Sequence, residues 1–141
     1  MQHKFTTGTT ADTIRIAEAQ LNRKFPQSFF NWLLINNGRS LDGLTVFPVH
    51  DPNNLRKTWS SITKNFNEGW AIWINNHSHE SLDLSPLLPF AEYGTGDYFC
   101  FNYESIGSQG EPEVVLWSHE TGKAKFIADN FSAFASNPPT L

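Results

Sequence analysis

Between Leu87 and Tyr103 the chain reads "LLPFAEYGTGDYFCFNY", two apolar, strand-forming runs joined by a short glycine-bearing turn. A connection that short can join only antiparallel neighbours, because a parallel pair needs a crossover of a dozen residues or more. A third run, "EVVLWSHE", follows after another turn rich in Gly and Pro, so an antiparallel sheet in the second half of the chain is the first expectation. In the middle run Tyr98, Cys100 and Asn102 alternate with Phe99, Phe101 and Tyr103, which puts large groups on both faces and predicts a central strand.

The first half reads differently. Ile14, Ala17 and Leu21 recur at helical spacing, with Ile16 and Ala19 widening the stripe and Thr10 or Asp12 available as a cap. Pro26 suits the first position of a second helix that buries Phe29, Phe30, Leu33 and Leu34, and "NNG", ending at Gly38, supplies a left-handed stop. "LTVFPV" is expected to be a short edge strand broken near Pro48. Leu55, Trp59, Ile62 and Phe66 predict a third helix from Pro52 to Phe66, with Trp59 inside. "WAIWI", Trp70 to Ile74, is apolar on both faces, so periodicity does not separate a strand from one buried turn of helix; it is assigned as a strand. "KAKFIADNFSAFA" is expected to pass from a strand into a closing helix capped by Asp129.

Helices first, a sheet in the middle and a helix to close make an α+β domain, an antiparallel sheet with helices packed mainly on one face. At 141 residues the chain is one domain, residues 1–141, with a core from about 10 to 136. Twelve Phe, five Trp and three Tyr must dominate its interior. The formal charge of −4 argues against a sequence-independent grip on nucleic acid and suits a basic partner. Cys100 is the single cysteine, which fits a reducing compartment, and no eighteen-residue apolar run or signal-peptide core occurs, so a cytoplasmic location away from the membrane is expected.

Four pieces together resemble the SUKH superfamily of Smi/Knr-type domains. These are the helical pair "IAEAQLNRKFPQSFFNWLLINNG", the strand pair "LLPFAEYGTGDYFCFNY", the strand end "VVLWSHE" and the closing "FIADNFSAFA". The departures are Phe25, where Leu usually precedes the proline, and "NEGWAIWINNHSHESLD", which matches no family pattern and is where individual specificity is expected. The resemblance implies an antiparallel sheet with helices on one face. Its bacterial stand-alone members look like immunity proteins that bind a polymorphic toxin, and its eukaryotic relatives serve as regulatory interaction proteins. The compact length favours the first type.

Chemistry-bearing residues are sparse. "GTGDYFCFNY" lacks the helix N-terminus and the lysine of a phosphate cradle, so its glycines serve the turn, and Asp97 is expected to bond turn amides. His119 and Glu120 invite an acid-base reading, but neighbours on a strand point apart and no nucleophile motif accompanies them. "HSHE", His77 to Glu80, lacks the further ligands that a metal needs, so neither metal nor cofactor is expected. Acids from Asp42 to Glu120 fall in predicted loops and strand ends, where a cluster could meet the basic groove of a nuclease toxin or merely keep the protein soluble. The expected contact surface is therefore Glu92, Asp97, His119 and Glu120 with Trp70, Trp73 and Glu80, facing a protein toxin. A regulatory or scaffolding module is the alternative, and a small hydrolase is disfavoured.

Overall fold

The computed structural model describes residues 7–76, 83–94 and 96–139. Four strands, β1 (Leu87–Tyr93), β2 (Asp97–Ile106), β3 (Pro112–Trp117) and β4 (Ala124–Ala128), form one antiparallel meander in the order β1-β2-β3-β4. Chain order is sheet order because every connection is a tight turn. As expected, β2 is central: Tyr98 and Cys100 are buried on one face, Phe99 and Phe101 on the other.

Helix α1 (Ala11–Leu21) buries Ile14, Ala17 and Leu21, and the Thr10 side chain caps it by accepting from the Thr13 amide. Ile16 does not widen the buried stripe, being 59% exposed. In α2 (Gln27–Asn36), Pro26 stands at the cap itself, one position earlier than expected, and Phe29 and Leu33 are buried while Leu34 faces outward. Phe29 sits at the centre of an aromatic cluster with Phe25, Trp32, Phe90, Phe101 and Phe131. The closing helix α6 (Phe131–Ser136) adds Phe134 against Phe90 and Phe99, and its cap is Asn130 rather than Asp129. Thus α2 and α6 cover the Phe99 and Phe101 face of the sheet.

The segment "LTVFPV" does not become a regular strand. It lies beside β1 through a single bridge, Val46 to Ala91, with Phe47 N–H donating to Phe90 O and Glu92 N–H donating to Thr45 O. A bulge in β1 between Pro89 and Ala91 interrupts the pairing, and Pro48 has no amide with which to extend it. Asn37 takes over at that point. It is buried, and its side-chain amide donates to Val49 O and accepts from Val49 N–H, at 3.1 and 2.8 Å.

The third expected helix is two. A 3-10 turn (Pro52–Asn54) leads into α3 (Leu55–Thr58), the chain breaks, and α4 (Ile62–Asn65) restarts under a Ser61 cap. The break turns Leu55 and Trp59 outward, at 54% and 68% exposed, so Trp59 is a surface residue and not a core one. Nor is "WAIWI" a strand: helical backbone continues from α4 through a π-helical turn (Phe66–Trp70) into α5 (Ala71–Asn76). Gly69 lies against the sheet there, since a Cβ on it would stand 3.1 Å from the Tyr98 hydroxyl. The extra residue of the π turn rotates Trp70 inward onto Tyr98 and Trp117, with ring centroids 5.7 and 4.9 Å away.

Candidate functional site

Two turns meet at one end of the sheet. The β1–β2 turn carries Gly94 and Gly96, both at positive φ, and ends at Asp97, which pairs with Tyr93. The β3–β4 turn runs from Ser118 to Lys123 and is closed by Ser118 N–H donating to Lys123 O and Gly122 N–H donating to Ser118 O. The meander register sets Glu92, Tyr98 and Trp117 in one row across β1, β2 and β3, so whatever follows Trp117 stands beside whatever precedes Tyr98.

That placement joins Asp97 to His119. Asp97 Oδ1 accepts the His119 main-chain N–H at 3.0 Å and lies 2.6 Å from His119 Nδ1. The hydrogen bond expected from a turn amide to Asp97 is therefore made, its donor being the His119 N–H of the neighbouring turn. Both side chains keep partial exposure, 26% for Asp97 and 32% for His119. The strand ends at Trp117, so alternation does not separate His119 from Glu120; instead the His119 ring turns to Asp97 while Glu120 projects from the turn into solvent, its amide donating to Ser118 Oγ.

Trp73 closes the group from α5. Its ring lies 5.2 Å from the His119 ring and 5.9 Å from that of Trp117. Trp117 supports the arrangement from beneath, fully buried, with its indole N–H donating to Gly122 O at 3.1 Å. Burial is the main cause pushing the Tyr98 phenol up; a hydrogen bond with Trp73 opposes it and the charge of Glu92 adds to it. Glu92 and Glu120 are exposed, so this end of the sheet presents carboxylates around an imidazole and a half-buried indole.

Of the residues expected to touch a partner, the structure brings Glu92, Asp97, His119, Glu120 and Trp73 to this end. Trp70 must be withdrawn from the contact surface: at 1% exposed it is part of the core beneath it, held there by the aromatic stack. Glu80 and the rest of "HSHE" lie outside the described residues, among which no group of three or more potential metal ligands occurs. The remaining acids are dispersed. Asp51 is buried and accepts the Thr9 hydroxyl at 2.7 Å, Glu111 caps Ser28 through its amide and hydroxyl, and Glu113 accepts from Ser105.

Gly96 is the tightest joint of the site. Its φ is +97°, and a Cβ there would stand 3.1 Å from two atoms of the His119 ring and 3.3 Å from the Trp73 ring. Gly96→Ala is expected to cost about 1–3 kcal/mol, the strain of a non-glycine residue at such a φ. The same variant should shift the His119 ring signals in a proton–carbon NMR spectrum. An unchanged melting temperature with unchanged ring signals would contradict this packing.

Fold and site together define a small α+β domain whose antiparallel meander presents two turns and an aromatic helix at one end. The chain belongs to the SMI1 / KNR4 family (SUKH-1), whose family model matches residues 8–137. A protein from Pseudomonas syringae pv. tomato, known from its crystal structure, shares the fold with a TM-score of 0.62 at 18% identity, over 98% of this chain and 88% of that one. No curated protein matches the sequence. Among the described residues no helix is long and apolar enough to cross a membrane.

Proposed function

We propose that this protein is an immunity protein, which binds a cognate polymorphic toxin in the cytoplasm and neutralises it by occupying its surface rather than by chemistry. The observation that carries the reading is the match to the family over residues 8–137, a family that includes immunity proteins. The proposed contact surface is the turn end of the sheet: Glu92, Asp97, His119 and Glu120 around Trp73. Exposed carboxylates speed encounter with a basic substrate groove such as that of a nuclease, and the flat indole offers apolar area at low entropic cost.

Binding is favoured over catalysis by what Asp97 and His119 do. An oriented imidazole can serve acid-base chemistry, but here one carboxylate oxygen holds both the ring and the main-chain amide of His119, tying two turns together. Cys100, the single thiol of the chain, is sealed in β2 and burial pushes its pKa well above the ordinary value, which suits no nucleophile.

The test is co-expression with the C-terminal domain of the protein encoded by the neighbouring gene. Stoichiometric co-purification together with restored growth is the expected result. With both proteins folded, the absence of both complex and rescue would sink the immunity reading and leave the regulatory-module alternative.

A further inference from the structure

The sheet keeps one edge open. β4 is the last strand of the meander, and nothing among the described residues pairs with its outer side. Ser118 N–H donates to Lys123 O, so by the alternation of an antiparallel pair the main-chain groups of Lys125 turn toward β3 and those of Ala124 and Phe126 turn outward. Ala124, Lys125 and Phe126 are all exposed, Phe126 at 59%, so the outward N–H and C=O groups stand at the surface. A bulge then ends the open stretch, since Val115 lies opposite Phe126 but Val114 lies opposite Ala128.

The side chains of this edge are sorted by face. Phe126 pairs with Val115 and Ala124 with Trp117, in the rows of Cys100 and Tyr98, whereas Lys125 pairs with Leu116 in the row of Phe99. One face of the edge is therefore apolar and the other basic. Lys125 has no ion-pair partner among the described residues. Lys123, also exposed, adds a second positive charge at the turn, beside a shallow hollow that it lines with Asp83 and Glu104. A lysine on an edge strand guards it against a copy of itself. Antiparallel self-pairing through Ala124 and Phe126 would set the Lys125 side chains of the two copies opposite each other, and a register centred on Phe126 runs into the bulge.

We propose that the β4 edge takes up an extended segment of a partner polypeptide in which acidic and apolar residues alternate. The segment adds antiparallel, as a fifth strand beside Ala124, Lys125 and Phe126. One apolar residue opposite Phe126 and another opposite Ala124 exchange main-chain hydrogen bonds with them and lie on the apolar face. The residue between those two stands directly opposite Lys125 and brings a carboxylate to its ammonium, and the next acid reaches toward Lys123. Unpaired main-chain groups select a polypeptide over a compact anion, and the alternation of charged and apolar side chains along the edge selects that pattern over a uniformly acidic one. The edge lies across the sheet from Glu92 and carries the opposite charge, so the proposal does not rest on the immunity reading.

The probe is a fluorescein-labelled ten-residue peptide of alternating Glu and Val, followed by fluorescence anisotropy against the intact protein. Saturable binding is expected, weakened about tenfold by Lys125→Gln, a loss of the size that one charge-assisted contact carries. Lys125 is exposed, so the variant should melt with the parent. Methylating the main-chain nitrogens of the valines should abolish binding, because those amides face β4, and methylating those of the glutamates should leave it intact. That comparison leaves the protein unaltered and separates strand addition from charge attraction. No saturation, binding indifferent to Lys125, or any other pattern among the methylated peptides would overturn the proposal. So would competition by inorganic phosphate as strong as that of unlabelled peptide, which would mark a plain anion site. A concentration-dependent dimer of the protein alone that excess peptide dissolves would assign the edge to a second copy of this chain and overturn it equally.

Discussion

Trp117→Ala should destabilise the protein by about 3–5 kcal/mol, a large part of the whole stability of a domain this size. The indole is fully buried, meeting Trp70 edge-on and Trp73 and Tyr98 at a tilt, so removing it opens a cavity that three rigid rings cannot collapse to fill. It also strands Gly122 O, the acceptor that holds the β3–β4 turn against the sheet. Trp117→Phe keeps an aromatic ring in place and loses the hydrogen bond, with part of the packing, at a cost of about 1–2 kcal/mol. Urea denaturation read by far-ultraviolet circular dichroism separates the two variants. A loss below about 1 kcal/mol for Trp117→Ala would show that the aromatic stack does not support the turn end.

The second large effect concerns association. If the proposed toxin complex forms through the turn end, Glu92→Lys combined with Glu120→Lys should weaken it about a hundredfold, two charge contacts at about 1.4 kcal/mol each. Both side chains are exposed, so the melting temperature should change little. The loss should fall mainly on the association rate and should shrink as salt rises, because rim charges act through steering that a Debye length of about 8–10 Å screens. Stopped-flow or surface-plasmon measurements at two salt concentrations test both parts. Equal affinity for parent and variant would move the contact surface elsewhere.

Much of the architecture is legible in the residues. The spacing of Ile14, Ala17 and Leu21 and the alternation through Tyr98 to Tyr103 each match a single period, and both elements form where that period puts them. "WAIWI" misleads because an apolar run on all sides has no period; continuity of helical backbone from α4 decides it, and Gly69 against Tyr98 gives the reason. Trp59 misleads for the opposite reason. Its spacing with Leu55 and Ile62 is helical, yet Ser61 spends its hydroxyl on the Lys64 amide and starts a new helix, so the period does not carry across. A serine pair before Ile62 was the available signal.

The site was legible as a set of residues and not as an arrangement. Asp97 and His119 are 22 positions apart, and their contact depends on the register of two hairpins together, which no local pattern encodes. The withdrawal of Trp70 into the core follows from the same π turn that defeated the strand assignment. Asn37, read only as part of a helix stop, clamps Val49 because its amide can imitate a strand neighbour, a role visible only once both segments are placed.

We propose that the turn end of the sheet is the face that meets a cognate toxin. Hydrogen–deuterium exchange of the protein alone and in complex with its cognate toxin domain tests it most directly. Added protection is expected over residues 92–98 and 117–123, and in the α5 segment around Trp73, with β4 beyond Phe126 and the Ile16 face of α1 unchanged. Protection confined to those unchanged regions would contradict this placement of the contact surface.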